Sequence, residues 1–178
     1  MPVMTQVIVL NGGSSAGKTG IARCLRAILP QPWIRLSVDG LVDALRPSLT
    51  GAGAGIGFGR QGEVPVGGGF RGAEDAWLAG VAAMARADAR VIYDDVFLGG
   101  AASQERVRAH LAGLGVLWAG VRCAPESAAA REAARADRVR GMAASQAAIV
   151  HEGVRYDVEV ARGSRSDGTA GPRRGQPT

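Results

Sequence analysis

A chain of 178 residues with 47% hydrophobic side chains has one-domain length and enough apolar material for a real core. Its net charge of +5 invites a polyanion partner, yet Arg162, Arg165, Arg173 and Arg174 sit in residues 161–178 against Asp167 alone, and no basic patch with interleaved aromatics marks the rest. Specific nucleic-acid recognition is therefore not expected, and neither is a membrane span or leader: residues 1–10 lack a basic start and no apolar run is long enough for a bilayer, so the expectation is a cytoplasmic enzyme. Cys24 and Cys123 lack metal-ligand spacing or a secretory context, and both read as buried thiols.

In chain order, Val7-Ile8-Val9-Leu10 reads as a strand and Gly20 to Leu29 as an amphipathic helix. Between them Gly12-Gly13-Ser14-Ser15-Ala16-Gly17-Lys18-Thr19 fills the pattern G-x-x-x-x-G-K-[ST] in full, in the strand–loop–helix setting the pattern requires. Gly12 and Gly17 permit positive φ and close backbone approach, so successive N–H groups converge on phosphate oxygens at the positive end of a helix. Lys18 is placed to reach the β- and γ-phosphates, and the Thr19 hydroxyl to ligate a bridging Mg²⁺. Lys18 is also the only lysine in the chain. Arginine fills every other basic position, and the compact ammonium appears where a tight cradle needs it.

Pro30 and Pro32 break the chain before a second strand, Trp33 to Val38, which delivers Asp39 at its carboxyl end. In an open parallel sheet that edge carries the ligand. Asp39 is either a general base for an attacking hydroxyl or the N-cap of a helix over Leu41 to Leu45, and spacing alone does not choose. Residues 47–72 are crowded with glycine and suggest a loop covering a substrate, with a small hairpin over Gly57 to Val66. A helix over Glu74 to Ala87 follows, then a third strand, Arg90 to Phe97. Its Asp94 is the expected metal-holding carboxylate, while alternation turns Asp95 to the other face.

A helix over Ser103 to Leu111 and a strand over Val116 to Cys123 complete a repeat that implies a parallel sheet. Residues 126–146 form a helical or helix-turn-helix stretch in which Arg131, Arg135 and Arg138 share one face. Charge pattern alone reads this as a solvated face paired with Glu132 and Asp137. The position, after the fourth strand of a phosphate-loop protein, favours a lid whose arginines neutralise the moving phosphoryl group.

Together Asn11 to Lys18, Val38-Asp39, Asp94 to Gly100, Val121-Arg122-Cys123 and Val150 to Asp157 closely resemble chloramphenicol phosphotransferase, in matching order from about Val7 to Val160. The resemblance implies an α/β fold, a P-loop kinase-like parallel sheet flanked by helices on both faces with an arginine-bearing lid. It implies ATP-dependent phosphorylation of the 3-hydroxyl of chloramphenicol with Mg²⁺, which inactivates the antibiotic. It places the catalytic base on Asp39 and the lid arginines, which also contact nucleotide, on Arg135 and Arg138. A kinase domain over residues 1–160 would carry the glycine-rich loop and the lid. The alternatives are a related kinase for another small-molecule alcohol, or a nucleotide-binding protein inactivated by an altered C-terminus. Where the family continues into a loop and closing helix, residues 161–178 are rich in Arg, Gly and Pro, as a shifted frame in a GC-rich gene would be, and read as a disordered tail. A guanine-reading Asn-Lys-x-Asp motif is excluded, because Asn11 and Lys18 are the only Asn and Lys. The oligomeric state stays open.

Overall fold

In a computed structural model describing residues 4–45, 47–49, 55–57, 64–134 and 142–162, the apolar strands pair side by side, all parallel. They are β1 (Val7–Asn11), β2 (Trp33–Ser37), β3 (Arg90–Asp95), β4 (Val116–Cys123) and β5 (Val158–Arg162), in the order β2-β3-β1-β4-β5. Parallel neighbours need crossovers, and these are the helices α1 (Lys18–Ile28), α2 (Val38–Ala44), α3 (Gly68–Arg86), α4 (Ala101–His110), α5 (Pro125–Ala133) and α6 (Met142–Ile149). Every residue of β1 is buried, as expected for a central strand covered on both faces.

Strand alternation divides the core in two. Val7, Val9, Tyr93 and Trp118 pack with Leu78 and Val81 of α3 and Val107 of α4, while Ile8, Leu10, Ile92 and Ala119 pack with Ala22 of α1. In register, Leu10 lies beside Asp94 and Asn11 beside both Asp95 and Gly120. The phosphate-loop sequence thus leaves the sheet where the strand order reverses, the place at which open α/β sheets bind ligands.

Several boundaries differ from the sequence reading. The second strand ends at Ser37, whose Oγ accepts from the Gly40 N–H at 3.1 Å, so Ser37 rather than Asp39 is the N-cap and Asp39 sits in the first turn of α2. The helix α3 starts at Gly68 and not at Glu74: Phe70 is buried against Leu41 and Ile56, and that packing outweighs the poor helix propensity of its two leading glycines. Cys24 is exposed and not buried, because the inward residue of α1 is Ala22 and a side chain two positions on points away from the sheet; Cys123 is half-buried. The hairpin expected over 57–66 is represented by an antiparallel bridge between Ile56 and Val66. Residues 58–63, the lid arginines Arg135 and Arg138, and the tail from residue 163 lie outside the described residues.

Candidate functional site

The phosphate loop is shaped by two left-handed residues, Ser15 with φ 58° and Gly17 with φ 101°, the second of which is the N-cap of α1. Gly12 is required by contact: a Cβ there would stand 2.5 Å from the Val121 carbonyl oxygen of β4. Lys18 is the first residue of α1, and its buried ammonium donates to the Gly12 and Gly13 carbonyls at 2.7 and 3.1 Å. It stands 3.8 Å from Asp94 Oδ1, so loop, lysine and the third strand's carboxylate meet as the spacing predicts.

Asp94 is buried, and its other oxygen accepts from Arg35 Nη2 at 2.7 Å. The same nitrogen reaches Thr19 Oγ1 at 3.3 Å. The two oxygens expected to hold a metal thus converge on one cationic atom. Among the described residues no three His, Cys, Asp or Glu side chains gather to hold a metal alone. A Mg²⁺ here would take its remaining ligands from phosphate and water. Sequence reasoning passed over Arg35; the signal available was a charged side chain inside an otherwise apolar strand.

A cavity of about 430 Å³ opens beside this cluster. Ser14, Ser15, Gly17, Lys18, Thr19 and Asp94 form one wall, Asp39 and Val42 of α2 a second, and Ile56 and Val64 of the glycine-rich segment a third. Its volume lies in the usual range for small-ligand sites. Gly12, Gly13 and Ala16 do not line it and instead shape the loop from behind. Two further residues hold the loop that the sequence did not single out for this purpose. Gln146 of α6 accepts from the Ser14 N–H at 2.8 Å, and Arg131 of α5 donates to the Ser15 and Ala16 carbonyls at 3.5 and 3.4 Å. Glu132 in turn accepts from the Ala143 N–H at 2.9 Å, locking α5 to α6. The two helices flanking the arginine segment therefore rest on the phosphate loop itself.

Asp95 turns away, as alternation requires, into a small pocket with Glu74, Arg71 and Arg106. Glu74 is paired with Arg71 at 2.6 Å and Arg106 at 3.6 Å, whereas Asp95 accepts only the Val96 N–H, at 2.7 Å, among the described residues. Burial without a cation in contact pushes its carboxyl up to about 7. The fully buried Tyr93 hydroxyl faces it without completing a hydrogen bond of good geometry, and its pKa is raised by burial and by the Asp95 charge.

Behind the loop lies a neutral network. Asn11 Nδ2 donates to the Val150 carbonyl at 2.7 Å and to the Tyr156 hydroxyl at 2.6 Å, and Asn11 Oδ1 accepts from the Phe97 N–H at 2.9 Å. Having accepted from Asn11, the Tyr156 hydroxyl gives its proton to His151 Nδ1, 2.6 Å away, which leaves the histidine neutral with its hydrogen on Nε2. Burial, with the Arg122 charge, lowers the His151 pKa and supports that state. The segment from Val150 to Asp157 is thus a brace for the site, outside the cavity.

A parallel five-stranded sheet, a phosphate loop after its central strand and carboxylates at the same edge define a P-loop kinase fold, and solved structures agree. A sugar kinase from Janibacter sp. HTCC2649 superposes with a TM-score of 0.59 at 16% identity, covering 90% of this chain and 86% of its own. A gluconokinase from Sinorhizobium meliloti 1021 gives 0.52 at 14% identity over 90% and 83%. A chain of the Pnkp1/Rnl/Hen1 RNA repair complex gives 0.62 at 14% identity over 88% and 48%. At such identities these likenesses establish the fold. No curated protein matches the chain. The family model described as chloramphenicol phosphotransferase-like protein matches residues 5–169, and the chain belongs to that family.

Proposed function

We propose that this P-loop phosphotransferase moves the γ-phosphoryl group of ATP to a small-molecule alcohol, the 3-hydroxyl of chloramphenicol, and so inactivates the antibiotic. The observation that carries the reading is the placement of Asp39 across one cavity from Lys18, Thr19 and Asp94. Nucleotide phosphates seated on the loop N–H groups would meet the Lys18 ammonium, which exchanges loop carbonyls for phosphate oxygens. The acceptor hydroxyl oxygen attacks phosphorus, its proton passes to the Asp39 carboxylate, and ADP departs. Ser37 supplies the cap that Asp39 would otherwise have made, which favours the base over the capping role. Mg²⁺ held by Thr19, and by Asp94 through water, would neutralise phosphate charge.

Val42, Ile56, Val64 and Met142 give the cavity an apolar side suited to the aromatic body of the acceptor. The glycine-rich segment supplies two of these residues, in keeping with a substrate-covering loop. Arg135 and Arg138 follow directly on α5, which already rests on the phosphate loop through Arg131. Their proposed role is to stabilise the equatorial oxygens of the transferring group. No helix among the described residues is long and apolar enough to cross a membrane, and ATP as donor suits the cytoplasm. The test is phosphate transfer by the purified chain with ATP, Mg²⁺ and chloramphenicol, with circular dichroism on the same sample. Transfer to other hydroxylated antibiotics in preference would assign a different acceptor, and a folded chain that transfers to none would overturn the reading.

A further inference from the structure

Arg35 stands where the proposed metal would stand, and its geometry is that of an occupant and not of a fixture. One nitrogen serves both Asp94 Oδ2, at 2.7 Å, and Thr19 Oγ1, at 3.3 Å. The planar fork that makes arginine a strong carboxylate partner goes unused, and Arg35 Nε is buried with no partner among the described residues. The side chain rises from β2, which pairs only with β3 and so forms the sheet edge; it is 27% exposed, against 6% for Asp94. A way out toward solvent is therefore open to it. Lys18 pairs with the other Asp94 oxygen at the longer distance of 3.8 Å while also engaged by two loop carbonyls, so Arg35 is the closer cation on Asp94. A charge on a carboxylate as buried as that of Asp94 calls for a cation beside it.

We propose that Arg35 is a resident counter-cation of the metal seat, which a divalent ion must displace. The proposal rests on the nucleotide-kinase reading above. A Mg²⁺ held by the Thr19 hydroxyl would compete for that oxygen with the guanidinium nitrogen already beside it. Entry of the metal and departure of the arginine form a single exchange, in which Asp94 passes from one cation to the other. A hydrated ion would give up waters only for Thr19 and Asp94, the two side chains that Arg35 spans, which is too little to drive the exchange. An ion already bound to nucleotide phosphates brings its own oxygen ligands and completes it. Arg35 thus makes the seat selective for the metal–nucleotide complex over the bare ion.

The test is direct binding of Mn²⁺ to the full chain without nucleotide, read from loss of the free-ion electron paramagnetic resonance signal. Arg35→Ala is expected to tighten binding by about tenfold or more, equivalent to 1.4 kcal/mol. The gain should survive about 0.5 M KCl, because displacement at a buried pair is little screened whereas a distant charge effect is. Arg35→Lys, which retains a cation, should show no gain, and the double variant Arg35→Ala, Asp94→Asn should lose it. In metal-free buffer the thermal midpoint of Arg35→Ala should fall and be restored by Mn²⁺. Arg35→Gln serves the same comparison should the alanine variant not fold. Unchanged Mn²⁺ binding in the neutral variants, or a gain abolished by salt, overturns the proposal. If wild type and variant then bind Mn²⁺–ATP alike, the proposal falls and the kinase reading stands; if neither binds it, both fall.

Discussion

Asp94 and Asp95 are neighbours in sequence and occupy opposite worlds. Asp94 opens onto a cavity lined by the phosphate loop, with Arg35 in contact and Lys18 nearby. Asp95 faces the α3 and α4 side, beside another carboxylate whose arginines are already committed, and burial takes its pKa to about 7. The two side chains are identical, so environment alone sets one against cations and makes the other a group that resists ionisation. A pair of aspartates at the end of a strand is thus two unrelated devices, one on the cavity and one that weighs on stability.

The comparison breaks first on the cavity side. Lys18→Ala is expected to abolish phosphate transfer while the chain stays folded, because the contacts of the ammonium are to loop carbonyls and Asp94 at the cavity and not to the apolar core; an active variant removes the phosphate-loop reading. Lys18→Arg should lose most activity as well, the guanidinium being too broad for the cradle. Next in size, Asp39→Asn should lower turnover by roughly 10² to 10⁴, with little change in thermal midpoint because Ser37 makes the cap. Near-native turnover in that variant would leave the proton of the acceptor without a destination.

On the Asp95 side the expected effect is on stability. Its folded pKa of about 7 lies above the ordinary 3.8, so between those values the folded chain holds a proton that the unfolded chain has released. Stability from this group therefore declines as pH rises through that window and is lost above about 7, a change on the order of a few kcal/mol. Thermal midpoints measured from pH 5 to 8 on wild type and Asp95→Asn isolate it, since the asparagine can still accept the Val96 N–H but has nothing to ionise. A wild-type curve parallel to that of the variant would mean that Asp95 is not strained by burial. The smallest effect is expected for Tyr93→Phe, which removes a buried hydroxyl that completes no hydrogen bond and should leave the midpoint within about 0.5 kcal/mol or raise it. A loss of 1–3 kcal/mol, the usual penalty of a broken buried hydrogen bond, would make the hydroxyl a donor to Asp95.

What the sequence revealed of this arrangement was local. The phosphate loop, the strand before it and the alternation that parts Asp94 from Asp95 each rest on a few consecutive residues with a fixed period or pattern. Ser37 and Asp39 are both good caps two positions apart, and only the path of the chain decides which starts α2. The glycines opening α3 argue against a helix until Phe70 is seen buried under Ile56. Arg35, Gln146 and Arg131 work through partners 59, 132 and 116 residues away. No periodicity carries such pairings, which exist only once the sheet order is known. The charged residue inside an apolar strand was the one trace that Arg35 left.

The Asn11 network also sets an order of events. The floor of the phosphate loop is made by a carbonyl and a hydroxyl that lie 139 and 145 residues further along the chain. At a synthesis rate of about 5–20 residues per second, the first strand waits on the order of ten seconds for Tyr156 to be made. Throughout that interval the nascent loop has its sequence but not its support, so on the kinase reading nucleotide would bind the completed fold and not seed it. A chain halted before Val150 is accordingly expected to retain no nucleotide, although every residue of the loop itself is present.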